Sequence, residues 1–175
     1  MVILLSFSVK GCRITVDFSF VLVLSFAAML EAEDLFYLLL FSGIHELSHM
    51  TALILLGGRP QSLKFSFYGL ALKYEQTLSR VREFFVIFAG PAANLILFAF
   101  LHDDINLILF CLNILPIYPL DGGRIVELFS YRISRNISKI FLLLIVILSA
   151  IMIFKYKNFS LLLTAVYLIA YTFLR

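Results

Sequence analysis

The chain has 175 residues, of which 62% are hydrophobic and 14% are charged, and its mean hydropathy is +1.04. A soluble domain of this length cannot cover so much apolar surface, so the composition predicts an α-helical polytopic membrane protein with about six transmembrane helices and the lipid bilayer as its surroundings. The formal net charge is only +3, and we expect no nucleic-acid partner. The two cysteines, Cys12 and Cys111, predict no disulfide framework.

The N-terminal segment 2–17 is rich in strand formers and is interrupted at Gly11, which predicts a small β-hairpin at the membrane surface. Lys10 and Arg13 follow the first apolar run instead of preceding it, so we do not expect a cleavable signal peptide. The first span is expected at about 18–30, and acidic residues mark the loop that follows it.

The second span, expected at about 35–56, contains the motif His45-Glu46-Leu-Ser-His49. The two histidines are four residues apart, so on a helix both imidazoles project from one face and can bind one metal ion, while Glu46 supplies a carboxylate that can act as a general base. On a soluble helix this short motif often arises by chance. Here the three residues are the only charged or histidine side chains of an apolar segment, where such groups are costly, and this predicts a functional site.

The segment between the second and third spans changes character. Residues 63–74 partly alternate between apolar and polar, with Tyr68-Gly69 in the middle, which predicts a second β-hairpin or paired extended segment at the membrane edge. We predict that its part around 63–72 can bind a peptide substrate as an added strand. The third span is expected at about 84–101, where Gly90 and Asn94 favour close helix packing and Pro91 is tolerated.

A second polar motif follows the fourth span, which is expected at about 105–118. Pro116 and Pro119 interrupt the helix before Asp121-Gly122-Gly123, and Asn113 precedes them. We predict Asp121 as a third metal ligand, with the alternative that it caps the following helix. The amide of Asn113 is a candidate donor to the oxyanion of a substrate carbonyl.

The C-terminal part is expected to contain a basic amphipathic helix at the interface, over about 124–139, and two closing spans at about 140–154 and 159–174. Most basic residues then fall on one side if both termini are cytoplasmic, as the positive-inside rule requires. We expect residues 1–175 to form a single integral-membrane domain.

At these motifs the chain resembles the site-2 family of intramembrane metalloproteases, through His45-Glu46-x-x-His49, Ala89-Gly90-Pro91 with Asn94, and Asn113-x-x-Pro116-x-x-Pro119-Leu120-Asp121-Gly122-Gly123. Within the family it looks most like the stage IV sporulation protease branch. The resemblance implies one Zn²⁺ per chain, location in a bacterial cell membrane, a membrane-associated protein substrate such as a sigma-factor precursor or an anti-sigma factor, and regulatory membrane proteins as further partners. The residues that we assign to substrate binding are Tyr68, Gly69, Leu70, Asn94 and Pro116.

One departure from that branch is that no C-terminal CBS domain follows in this sequence, so we expect regulation by another route. Two other classes of function are weighed against the protease. A metal-ion transporter needs ligands on several spans along a path, whereas the predicted ligands cluster on two. A catalytically silent scaffold is expected to have lost Glu46 or a ligand, and all of them are present.

Overall fold

The computed structural model describes residues 3–9, 11–66, 69–75, 78–157 and 159–173. In chain order the elements are β1 Ile3–Val9, β2 Cys12–Asp17, α1 Phe18–Met29, α2 Glu33–Leu55, β3 Pro60–Ser66, β4 Gly69–Tyr74, α3 Arg80–Leu101, α4 Asp104–Asn113, α5 Asp121–Phe129, α6 Tyr131–Tyr156 and α7 Ser160–Phe173. The chain divides into two compact units, Met1–Phe110 and Cys111–Arg175. The first unit contains the four strands, α1 to α3 and most of α4, and the second contains α5 to α7.

Both predicted hairpins are confirmed. β1 and β2 pair antiparallel, and Gly11 between them has a φ of +86°, a backbone conformation that favours glycine. β3 and β4 also pair antiparallel, with Ser66 opposite Gly69, while the predicted turn residue Tyr68 lies outside the described residues. The sequence did not predict that β2 and β3 pair in parallel and join the hairpins into one sheet of order β1-β2-β3-β4. Parallel strands need a long crossover, here provided by α1 and α2.

An ion pair between a buried carboxylate and a partly exposed lysine lies where this sheet meets the first helix. Asp17 ends β2 immediately before α1 and is fully buried, and Lys64 on the neighbouring strand β3 lies 3.0 Å from its Oδ2 atom. A buried carboxylate without a countercharge is strongly destabilising, so Lys64 compensates the cost of burying Asp17. The pair thereby ties the parallel β2–β3 pairing to the beginning of α1.

In the described part of the chain, three helices are long and apolar enough to cross a membrane, over Glu33–Leu55, Arg80–Leu101 and Tyr131–Lys155. Their outward faces carry large apolar side chains, of which Phe100 is 81% and Phe154 is 89% exposed, as expected for surfaces that lipid covers. The other three predicted spans correspond to the shorter helices α1, α4 and α7, and their crossing of the bilayer stays a prediction. α4 ends at Asn113, five residues before the predicted limit of the fourth span, because Pro116 and Pro119 follow.

The C-terminal region differs from the predicted division into a basic interfacial helix over 124–139 and a separate span over 140–154. The short helix α5 ends at Phe129, and the remaining basic stretch forms the first turns of the long helix α6. The boundary lies at Ser130, which is the N-cap of α6 and accepts a hydrogen bond from the backbone N–H of Ile133. The sequence-based prediction missed this N-capping serine within the basic stretch.

Candidate metal centre

The buried faces of α2 and α3 pack against each other in the first unit. On α2 the buried residues recur every fourth position, at Phe41, His45, His49 and Leu53. The corresponding face of α3 includes Val86, Gly90 and Asn94, which recur at the same spacing. Residues four apart lie on one face of an α-helix, so the sequence spacing places both imidazoles on one face of α2. In the structure this buried face packs on α3.

The two imidazoles are arranged as metal ligands. Their Nε2 atoms face each other at 3.1 Å, close to the roughly 3.3 Å expected for two nitrogen ligands of one tetrahedral zinc ion. The Nδ1 atom of His49 lies 2.8 Å from the carbonyl oxygen of Val86, and the Nδ1 atom of His45 lies 2.6 Å from Oδ1 of Asn94. Both ring nitrogens on the far side therefore have acceptors, which leaves the two Nε2 lone pairs for a metal ion.

Gly90 keeps the space beside the two Nε2 atoms open. A Cβ atom at this position would collide with the His49 ring and would lie 2.6 Å from Nε2 of His45. Any residue other than glycine would thus occupy the space in which an ion shared by the two histidines has to sit. The donor set, the separation of the nitrogens and this open space together fit a zinc ion.

Glu46 adjoins the pair. His45, Glu46 and His49 each offer one ligand atom, these atoms lie within 4.8 Å of one another, and among the described residues they form the one such group of three. Glu46 is only partly buried, whereas His45 and His49 are 5% and 3% exposed. A carboxylate that is close to the ligands but still partly accessible can exchange protons with water and substrate.

Asn94 makes hydrogen bonds within the protein, while its predicted contact with substrate stays a prediction. Its side chain is fully buried, its Oδ1 atom faces His45, and its Nδ2 atom donates a hydrogen bond to Oδ1 of Asn106 at 3.0 Å. Both ends of the amide are thus occupied within the protein. Asn94 thus contacts a predicted metal ligand, and the sequence-based prediction did not identify the contacts of Asn106 and of the Val86 carbonyl beside it. The signal for Asn106 in the sequence was a polar side chain within an apolar segment, where such a group needs a hydrogen-bond partner.

The second polar motif lies in the second unit, where α6 supports an irregular loop over 114–120. The side chain of Ile117 is fully buried against Leu142 and Leu168. The Ser138 hydroxyl accepts a hydrogen bond from the backbone N–H of Tyr118 and donates one to the carbonyl of Pro116. These bonds satisfy polar backbone groups that would otherwise be costly in an apolar protein.

Gly122 and Gly123 bring helix α5 against this loop. A Cβ atom on Gly122 would collide with the carbonyl of Ile114, and one on Gly123 would lie 2.6 Å from the carbonyl oxygen of Ile117. The Ser134 hydroxyl of α6 also donates a hydrogen bond to the carbonyl of Gly123. The glycine pair therefore permits close backbone packing that no larger residue allows.

Asp121 is buried in the first turn of α5, and Arg124 lies 3.2 Å from its Oδ1 atom. The N-cap of α5 is Leu120, so Asp121 does not occupy the capping position that was the alternative to the ligand. Its role as a ligand stays a prediction. Asn113 is the last residue of α4, Pro116 lies in the loop, and their predicted contacts with substrate also stay predictions.

The predicted substrate-pairing segment 63–72 comprises two unlike strands. β3 lies inside the sheet with β2 and β4 on its two sides, so it offers no free edge to a substrate. β4, which contains Gly69 and Leu70, is the edge strand of the described sheet, and it packs against α2, the helix of the histidine pair. Of the two strands, only β4 can accept an added strand on its outer side.

Two comparisons of the sequence with known proteins point to metallopeptidases. A family model described as peptidase family M50 matches residues 97–154, which contain the second motif but not the histidine pair. A curated protein of Synechocystis sp., named as a candidate zinc metalloprotease, is 32% identical over 124 residues, or 58% of this chain. The match covers 33% of that protein, so the chain spans about a third of its length.

Among solved structures, the site-2 protease from Methanocaldococcus jannaschii has a similar fold. The TM-score is 0.63 with 22% sequence identity, and the match covers 94% of this chain and 92% of that one. This likeness concerns the fold, while the family model and the curated relative concern the sequence. The chain is thus similar in sequence to peptidase family M50 over residues 97–154, and its fold is similar to that of a site-2 protease.

Proposed function

We propose that the chain is an intramembrane zinc metalloprotease that hydrolyses a peptide bond of a membrane-associated protein. The observation that carries this proposal is the histidine pair, with two Nε2 atoms 3.1 Å apart and both Nδ1 atoms bonded on the far side. Two preoriented imidazoles beside a partly accessible carboxylate form the constellation that metal-assisted hydrolysis requires.

In this proposal His45 and His49 hold Zn²⁺, which supplies a Lewis acid that polarises the scissile carbonyl and acidifies water. The Glu46 carboxylate takes a proton from the attacking water and gives it to the departing amine nitrogen. The tight packing of α2 on α3 keeps the histidine rings in place through this cycle, because each ring has a fixed partner on its Nδ1 atom.

Asp121 and Asn113 complete the proposed machinery. Asp121 is the proposed third ligand, which would leave the fourth zinc position open for water, and Asn113 is the proposed donor to the carbonyl oxygen as it becomes negative. Both assignments rest on the likeness of the motif Asn113-x-x-Pro116-x-x-Pro119-Leu120-Asp121 to the site-2 proteases.

A substrate has to present an extended backbone, because the carbonyl groups of a helix are occupied by hydrogen bonds. We propose that the substrate pairs with β4, whose outer edge is free in the described sheet and which packs on α2. Gly69 and Leu70 belong to this edge strand, and Tyr68 and Pro116 are the further proposed substrate contacts. A sigma-factor precursor or an anti-sigma factor is the proposed substrate class, in a bacterial cell membrane with both termini of the chain cytoplasmic.

The test is cleavage of a panel of single-span and membrane-associated candidate substrates by the purified chain in proteoliposomes. Glu46→Gln should keep the bound zinc, because the ligands are intact, and should lower the rate by about a hundredfold to ten-thousandfold, because the general base is lost. Zinc content is measured by mass spectrometry on both proteins. A Glu46→Gln variant that cleaves at the wild-type rate, or a wild-type protein without zinc, would contradict the proposal.

A further inference from the structure

We propose that Asn106 is a positioning residue that sets the orientation of the Asn94 amide and, through it, the tautomer of His45 that can bind a metal ion. The inference rests on the metal site proposed above and adds a residue to it. Asn106 lies on α4, away from the H-E-x-x-H helix, and it acts on His45 only through Asn94.

Burial of the Asn106 side chain is energetically costly. Its side chain is fully buried, and in the described part of the chain its Nδ2 atom has no hydrogen-bond partner. A buried amide donor without a partner costs about 1–3 kcal/mol. Among the described residues, the side-chain hydrogen bond that compensates this cost is the one that Asn106 accepts from Nδ2 of Asn94. The favourable polar interaction of the Asn106 side chain is therefore its hydrogen bond with Asn94.

The hydrogen bond with Asn106 sets the orientation of the Asn94 amide. An asparagine amide can turn over, and its two orientations exchange a donor for an acceptor. Because Oδ1 of Asn106 accepts the bond from Nδ2 of Asn94, the Oδ1 atom of Asn94 is left facing Nδ1 of His45 at 2.6 Å. In the opposite orientation, Asn94 would present an N–H group to His45.

The Asn94 amide in turn selects the tautomer of His45. An oxygen acceptor at Nδ1 requires the proton of neutral His45 to be on Nδ1, which leaves the Nε2 lone pair for the metal. An N–H donor at Nδ1 would require the proton to be on Nε2, the atom that faces His49. Asn106 thus favours the metal-binding tautomer of His45 through one intervening side chain. For His49 the carbonyl of Val86 has the same effect without a relay, since it can only accept.

The experiment measures Zn²⁺ affinity by competition with a chelator, using the full chain in detergent. Asn106→Leu keeps the number and branching of the heavy side-chain atoms and removes the acceptor, so the affinity should fall about tenfold, the lower end of the loss typical for such outer partners. Asn106→Asp retains an acceptor, so its affinity should remain within about threefold of wild type or rise. Asn136→Leu makes the same change at an exposed position of α6 and should have no effect.

A double-mutant cycle with Asn94→Asp separates positioning from packing. A carboxylate at position 94 accepts hydrogen bonds on both sides and needs no orientation, so adding Asn106→Leu to this background should change the affinity by less than about threefold. A tenfold loss in both backgrounds would assign Asn106 to packing and overturn the inference. So would a tenfold loss in Asn106→Asp, which tests the inference even if the leucine variants do not fold. A wild-type chain without Zn²⁺ affinity would instead refute the metal site itself.

Discussion

The histidine pair and the loop 114–120 both contain polar groups in a strongly apolar chain, but these groups are satisfied in different ways. His45 and His49 are held by side-chain and carbonyl acceptors of α3, and their remaining nitrogens converge on one space. In the loop, the polar groups belong to the backbone, and a serine hydroxyl of α6 satisfies them. The first arrangement leaves lone pairs for a ligand, and the second fixes a backbone shape.

This difference predicts different consequences of mutation. A change at the histidine pair should act on metal binding while the helices remain packed, because the affected atoms face an open space. A change at the loop should lower the free energy of unfolding, because a backbone group without a hydrogen bond in apolar surroundings is costly whether or not a metal ion is bound. The following predictions test this separation, from the largest effect to the smallest.

Gly90→Ala should lower Zn²⁺ affinity at least about a hundredfold, the upper end of the losses seen when the partners of metal ligands are changed. The added Cβ atom would fill the space beside the two Nε2 atoms, and the rings can avoid it only by leaving their Nδ1 partners. Chelator competition measures the affinity, and thermal unfolding reports whether the helices remain packed.

The matched control is Gly43→Ala on α2, two residues before His45, where a Cβ atom has no neighbour within 4 Å. This variant should bind zinc normally and should be up to about 1 kcal/mol more stable, since alanine is the better helix former. If Gly90→Ala bound zinc as well as Gly43→Ala does, the space beside the Nε2 atoms would not be the metal position.

Ser138→Ala should lower the free energy of unfolding by about 1–2 kcal/mol, because the N–H group of Tyr118 loses its acceptor. Ser149→Ala is the control, since that hydroxyl is also buried in α6 but donates to the carbonyl of Val146 in its own helix. Thermal unfolding in detergent compares the two. Equal stability of the two variants would mean that the serine of α6 does not support the loop.

Of the two proline substitutions at Leu70 and Ala71, the one on the outer edge of β4 should reduce cleavage of a membrane substrate by about fivefold more than alanine or serine at the same position. Successive N–H groups of a strand point to opposite sides, so one of these two lies on the outer edge of β4 and is removed by proline. The expected loss is in kcat/KM at unchanged zinc content. If neither proline variant differs from its control, the edge of β4 does not bind substrate.

Features that depend on residues close together in the sequence could be predicted, and features that depend on packing between distant segments could not. The spacing of His45 and His49 specifies a shared face of one helix, so the juxtaposition of the two imidazoles was predictable, as was the hairpin at Gly11. The roles of Asn94, Asn106 and Val86 were not, because they depend on how α3 and α4 pack. The parallel pairing of β2 with β3 joins segments separated by two helices, and no local pattern predicts such a contact.

X-ray absorption spectroscopy at the zinc edge of the purified chain tests the central claim most directly. We expect one zinc ion per chain with two imidazole nitrogens at about 2.0–2.1 Å and oxygen ligands at about 2.0–2.2 Å. Asp121→Ala should lose one protein oxygen ligand and keep both imidazoles. Sulfur at about 2.3 Å, or a spectrum without imidazole scattering, would contradict the assignment of the metal to His45 and His49.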